Sequence, residues 1–167
     1  MTLEERAKQF ATKAHGDIDH RRKYTSEPYI NHPSEVVEIV RSVPHTEAML
    51  AAAWLHDVVE DTPATIEKVH SEFGAEVAAL VGFLTDVSKP EDGNRKARKA
   101  IDREHTALAP PDAKTVKLAD LISNTRSIVE HDPHFAKGYL AEKRLLLEVL
   151  KEGDASLWRQ AYKLAYT

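Results

Sequence analysis

The segment Leu55-His56-Asp57-Val58-Val59-Glu60-Asp61-Thr62 places one imidazole and three carboxylates side by side, directly after the apolar run Ala51-Ala52-Ala53-Trp54. Ionisable groups taken out of water cost several kcal/mol unless they are paired or bound to a metal. A divalent cation would compensate all of them at once. Glu60 lies four residues from His56 and shares its helix face, with Asp61 next to it. His56 and Asp57 diverge by about a quarter turn of helix, yet both can reach one ion lodged between helices. Two further ligands are available. His32 stands at a helix start between Pro28 and Pro33, and Asp120 sits among Val116, Leu118, Ala119, Leu121 and Ile122, where an unpaired carboxylate is disfavoured. Two imidazoles and two carboxylates, completed by water, suit an octahedral ion such as manganese or iron better than a closed zinc site.

The elements that must position these groups read as helices. Thr2 and Glu5 form a capping-box pattern, followed by Leu3, Ala7, Phe10, Ala11 and Ala14 at helical spacing, which predicts a first helix ending near Gly16. Residues 17–32 are polar, basic and aperiodic, a long connection of the kind that carries function. Pro33 suits the first position of a second helix, which Pro44 ends. A third helix is expected from about Thr46 to Val59, apolar nearly all round and therefore central. Shorter helices follow over 66–73 and 77–84, with a cap at Gly74. Residues 94–108 read as a highly charged helix and 112–129 as a buried one that carries Lys117, Asp120 and Asn124 on one strip. The stretch 131–134 reads as a loop, and two packing helices close the chain. The expectation is an all-α single domain over residues 1–167, a helical bundle of about eight helices.

Composition narrows the chemistry. The 167 residues suffice for a core without staples, and the absence of cysteine excludes disulfides, zinc ribbons and thiolate catalysis. No segment resembles a signal peptide or a membrane span, so a soluble cytoplasmic protein is expected. A net charge of −4 argues against coating nucleic acid. An anionic small-molecule substrate would need local basic groups. Arg21, Arg22 and Lys23 on the first loop offer them, and so does the cluster Lys89, Arg95, Lys96, Arg98, Lys99 and Arg103, of which Lys89 and Arg95 are the candidates for substrate contact. Glu91, Asp92, Asp102 and Glu104 are interleaved there, which also fits a solvated helix face. His15, His20, His45, His70, His105, His131 and His134 read as residues of exposed helix ends or charged stretches, and Tyr29 as core support for the first loop.

Taken together, Arg22-Lys23 with Glu27-Pro28-Tyr29-Ile30-Asn31-His32-Pro33, then Leu55-His56-Asp57-Val58-Val59-Glu60-Asp61-Thr62, then Lys117-Leu118-Ala119-Asp120 with Asn124-Thr125-Arg126, resemble the HD-domain phosphohydrolases. The closer resemblance is to the alarmone hydrolase domain of the RelA/SpoT family and its free-standing small relatives. That resemblance implies a manganese ion on His32, His56, Asp57 and Asp120, with another divalent ion such as iron(II) as the alternative. It makes Glu60 and Asp61 the catalytic acids that handle protons of the attacking water and the leaving group. Arg22 and Lys23 would contact the nucleotide, Lys117 and Asn124 would line the substrate, and Ser127 would meet the sugar. The implied reaction removes the 3′-pyrophosphate of guanosine tetra- and pentaphosphate, or of the adenosine analogues. Leu121 stands where the long bifunctional enzymes often carry arginine, and the loop before His32 is one residue longer, so the base is left open. Nothing resembling a synthetase domain follows, so degradation rather than synthesis is expected. Competing readings are another HD hydrolase, acting on nucleoside monophosphates or deoxynucleoside triphosphates, and a non-catalytic alarmone-binding module.

Overall fold

The computed structural model describes residues 1–167. It is all-α, with ten α-helices, one short 3-10 turn and no strand beyond an isolated bridge between Arg21 and Pro28. The helices fall into two compact units, Met1–Thr85 and Asp86–Thr167.

In the first unit, α1 (Leu3–Asp17) opens with the capping box foreseen for Thr2 and Glu5. α2 spans Asn31–Arg41, so it starts two residues before Pro33. A proline is tolerated anywhere in a first turn, because those N–H groups have no helical partner. α3 (Glu47–Leu55) is the centre of the unit: every residue from Ala48 to Leu55 is buried. Its alanines let α1, α2 and α6 (Ala75–Leu84) pack against it.

The expected third helix does not run on to Val59. It stops at Leu55, and a separate one-turn helix, α4 (Val58–Asp61), follows. Asp57 is the hinge, at φ −104° and ψ 0°. The Thr62 hydroxyl and backbone N–H both return to Val58 O and close the turn. α5 (Ile66–Phe73) is capped by Thr65, and Gly74 joins it to α6 at φ +90°, a conformation that an L side chain rarely adopts.

In the second unit, a 3-10 turn (Pro90–Asp92) leads to α7 (Arg95–Ala107), whose Asp102 accepts bonds from the Val87 and Ser88 backbone and the Ser88 hydroxyl. α8 (Pro111–His131) is the central helix, flanked by α9 (Pro133–Glu148) and α10 (Ala155–Ala165). The loop expected at 131–134 shrinks to one residue. Asp132 ends α8 and also caps α9 through the Phe135 N–H, with Pro133 at the first helical position.

Gly153 lies where the chain turns over α8. A Cβ there would stand 2.8 Å from Leu118 Cδ1 and 3.1 Å from the backbone of Lys114 and Thr115. Leu118 is fully buried and the backbone cannot yield, so Gly153→Ala is expected to destabilise the protein by about 1–3 kcal/mol in urea titration.

Candidate metal centre

His32, His56 and Asp57 are brought together by the fold of the first unit. Each offers a ligand atom, and these atoms lie within 4.8 Å of one another. His32 is 1% exposed on the first turn of α2, and His56 is 2% exposed at the end of α3. The break after Leu55 makes the geometry work. In a continuous helix neighbouring side chains splay by about 100°, whereas here His56 Nε2 reaches Asp57 Oδ2 at 3.0 Å. His32 Nε2 stands 3.7 Å from the same oxygen.

The tautomer of His56 is fixed by its other nitrogen. Nδ1 lies 2.7 Å from Ala53 O, which can only accept, so Nδ1 carries the hydrogen. Nε2 of the neutral ring then presents a lone pair toward a carboxylate oxygen. Two electron-rich atoms at that distance need positive charge between them, from a proton or a cation. An imidazole whose far N–H is anchored on a carbonyl is the usual arrangement of a metal-binding histidine. The donor set therefore fits a divalent ion. The Tyr29 hydroxyl also donates to Asp57 Oδ2.

Asp120, in the second unit, is 8% exposed within α8. Its carboxylate accepts from Asn124 Nδ2 at 3.0 Å and from Lys117 Nζ at 3.4 Å. The strip read from the sequence is thus a bonded trio. Ser127 is half-buried one turn further on, and its carbonyl holds the His131 ring.

The acids of the motif sit differently from expectation. Glu60 and Asp61 are exposed on α4, not buried at a helix end, because the break after Leu55 carries them out of the core. They remain one turn beyond His56 and Asp57, on the water side of the cluster. Arg22 is half-buried and paired with Glu35 at 3.2 Å, while Lys23 is exposed, its amine over the Tyr24 ring. The loop carrying them folds back on itself, through Arg22 N–H to Glu27 O and Tyr29 N–H to His20 O.

Of the second basic cluster, Arg95 is held by Glu142 through two hydrogen bonds of 2.7 and 3.0 Å and lies over the Phe135 ring. Lys89 is exposed beside the 3-10 turn, where its backbone N–H is tied to Asp92. The cations that do converge are Lys99, Arg103, Lys117 and Lys143, which line one small cavity of about 60 Å³ with Asp86, Asp102 and Glu142. Lys143 was not foreseen. Its signal lay in the sequence: it falls on the apolar stripe Tyr139, Leu140, Leu146, Leu147 and Leu150, where a cation is out of place. Burial, then repulsion from Lys117 and Lys99, pushes its ammonium down to about 8. Glu142 is raised by burial, but Arg95 more than offsets this and leaves it below its ordinary value. His15 also departs from expectation. It is 1% exposed inside α1 rather than at an exposed end, and burial followed by the neighbouring His20 pushes it down to about 4.

Comparisons with known proteins agree with this architecture. Residues 7–146 match the model of the HD domain. The chain is 39% identical over 127 residues to the guanosine-3′,5′-bis(diphosphate) 3′-pyrophosphohydrolase MESH1 of Drosophila melanogaster, covering 74% of this chain and 68% of that protein. The human protein of the same name is 36% identical over 127 residues, covering 73% of this chain and 67% of that one. A probable guanosine-3′,5′-bis(diphosphate) 3′-pyrophosphohydrolase from Synechocystis is 34% identical over 147 residues, or 86% of this chain, but the match spans about a fifth (19%) of that longer protein. Among solved structures, a metazoan ortholog of SpoT described as hydrolysing ppGpp superposes with a TM-score of 0.85 at 30% identity, over 98% of this chain and 94% of the other. The protein lmo0812 of Listeria monocytogenes gives a TM-score of 0.70 at 26% identity, over 86% of this chain and 96% of that one. A helical scaffold with a His-Asp pair at a helix break defines a metal-centred class. This chain belongs to the HD-domain family.

Two outcomes test the electrostatics. Manganese at about a hundred times its dissociation constant should stabilise the protein by ~2.7 kcal/mol, read as a rise in Tm of about 5–10 °C. His56→Ala should lose that rise. Lys143 titrates near 8 in the folded protein and near its ordinary value when unfolded. Its charge therefore costs stability below pH 8, and that cost fades as pH rises toward 10. Lys143→Met should raise Tm at pH 7 by about 2–4 °C, with the gain shrinking at pH 10.

Proposed function

We propose that this protein is a manganese-dependent hydrolase of the 3′-pyrophosphate of guanosine 3′,5′-bis(diphosphate)-type nucleotides, or of their adenosine analogues. The observation that carries the proposal is the cluster of buried His32 and His56 with half-buried Asp57 at the helix break, with Glu60 and Asp61 exposed one turn beyond it. Kinship with pyrophosphohydrolases matched over two thirds of their length supports the substrate class. The HD-domain match runs through both units, which supports reading residues 1–167 as one catalytic domain. No helix is long and apolar enough to cross a membrane. The reading places the reaction on a free nucleotide in the cytoplasm, and the net charge of −4 argues against a polynucleotide substrate.

In this reading His32, His56, Asp57 and Asp120 hold the ion. Manganese suits their mixed imidazole–carboxylate character, and iron(II) is the alternative. The ion would supply Lewis acidity at a phosphoryl oxygen and make water nucleophilic at neutral pH. Glu60 and Asp61 take the proton of the attacking water and return one to the leaving ribose oxygen. Water oxygen bonds to the phosphorus attached at the 3′ position, the bond from that phosphorus to the ribose 3′ oxygen breaks, and pyrophosphate departs. Arg22 and Lys23 hold the nucleotide end, with Asn124 and Ser127 against the sugar. The cavity lined by Lys99, Arg103, Lys117 and Lys143 supplies the local positive charge that a polyphosphate needs on a net-acidic protein. Lys89 and Arg95 play a lesser part, since the Glu142 carboxylate already neutralises Arg95.

A panel of guanosine and adenosine 3′-pyrophosphates, a nucleoside monophosphate and a deoxynucleoside triphosphate, offered with manganese, tests the reading by product chromatography. Pyrophosphate release from a 3′-pyrophosphate is expected. Asp57→Ala should abolish it with the fold retained, and Glu60→Gln should lower kcat by about 10²–10⁴-fold with KM little changed. Unchanged turnover in Asp57→Ala would sink the proposal.

A further inference from the structure

The proposed chemistry leaves a group of rings behind the metal centre unexplained. His15, fully buried in α1, places Nδ1 3.0 Å from His20 Nδ1. The His20 ring stacks on Tyr29 with centroids 3.9 Å apart and planes 16° from parallel. His15 also packs on Tyr29, at 4.9 Å between centroids. The Tyr29 hydroxyl donates to Asp57 Oδ2, the oxygen that His56 and His32 face. Three rings thus connect a helix interior to one carboxylate of the cluster.

The hydrogens of this chain can be assigned. Burial keeps His15 neutral, so one of the two facing Nδ1 atoms must donate to the other. His15 Nε2 is buried and has no hydrogen-bond partner. A hydrogen there would be a stranded donor, costing roughly 1–3 kcal/mol. The hydrogen therefore sits on His15 Nδ1, which donates to His20 Nδ1, and His20 carries its own on Nε2. That bond fixes the His20 ring. A ring held in its plane fixes the stacked Tyr29, and the backbone bond from Tyr29 N–H to His20 O, at 2.9 Å, ties the two residues at their main chain as well.

The terminal torsion of an aspartate is soft, because rotation about the bond to an sp² carbon has broad minima. Asp57 also stands at a hinge of the backbone, outside the regular ladder of α3. Its carboxylate plane is set by what grips its oxygens. A fixed phenol orients a carboxylate oxygen without bringing a charge of its own to the cluster.

We propose that Tyr29, braced by the His20–His15 pair, is a positioning residue that orients the Asp57 carboxylate to receive the metal ion. The proposal rests on the metal-binding part of the function proposed above and not on the identity of the substrate. Partners that orient metal ligands typically change metal affinity or activity by about 10–100-fold when removed.

The test uses the full chain, stripped of metal, with manganese binding followed by calorimetry for the natural protein, Tyr29→Phe and His20→Ala. Tyr29→Phe keeps the ring and removes one hydroxyl. It should weaken manganese binding about 10–100-fold while the metal-free Tm stays within a few degrees. His20→Ala should weaken it less, because the hydroxyl remains but its ring is unbraced. In steady-state hydrolysis the loss in Tyr29→Phe should fall on kcat rather than KM and recover in part at high manganese. Manganese affinity of Tyr29→Phe within twofold of the natural protein overturns the proposal, as does a loss that merely follows a collapse in metal-free Tm. Natural protein that binds no manganese overturns this inference and the metal-binding reading together. Natural protein that binds manganese but releases no pyrophosphate overturns the substrate reading alone, and a weakened Tyr29→Phe would then still support Tyr29 as the positioning residue.

Discussion

Adjacent side chains on a regular helix splay by about 100°, and the close approach of His56 to Asp57 depends on how the chain departs from that spacing. It does so by ending α3 at Leu55 and restarting at Val58. At that break His56 Nδ1 lies 2.7 Å from Ala53 O, in the last turn of α3. One backbone event therefore fixes the tautomer of His56 and swings Asp57 to the same side. It would be useless in a soft element. The apolar face of α3 is nearly its whole circumference, and its close packing in the core holds the helix end at which the break falls.

The same event explains which parts of the site could be read from the sequence. The pairing of His56 with Asp57, and the recruitment of His32, followed from residue types that are costly to bury alone. The break itself was not legible. Ala51 to Val59 carries no glycine or proline, and periodicity alone predicts one continuous helix there. Mistaking the break for helix also misplaced Glu60 and Asp61, which seemed to share the burial of the residues before them. Where capping chemistry was explicit, as at Thr2 with Glu5 or at Gly74, the element boundaries followed closely. Asp132-Pro133 read as a loop, because a cap and a first-turn proline can end one helix and begin another with no residue to spare.

His15 shows a different limit. It continues Ala7 and Ala11 at a spacing of four, so it belongs to the apolar face of α1, but its polarity and its nearness to Gly16 suggest an exposed helix end. Lys143 was passed over for the same reason on α9. In both cases a polar residue occupied a position that the helical period assigns to the interior. Such residues are costly enough that their presence asks for a purpose, and the period alone was sufficient to pick them out.

The two misfits answer that question in opposite ways, and the contrast bears on how a net-acidic protein could manage a polyphosphate. His15 is held neutral, and its value lies in shape: a ring that transmits fixed geometry through His20 and Tyr29 to a carboxylate. Lys143 is held among like charges, and its value lies in discomfort. Burial first, and then Lys117 and Lys99, depress its hold on a proton, so an anion entering that cavity would relieve repulsion as well as form new attraction. The carboxylates lining the same cavity limit that repulsion without abolishing it, since Glu142 is spent largely on Arg95 and Asp102 on the backbone of 87–88. With Asp86 as the third carboxylate, and Lys117 also bonded to Asp120, four cations against three acids leave a small positive excess for an anion to meet. Such a local excess is what the polyphosphate reading asks of a protein that is acidic as a whole.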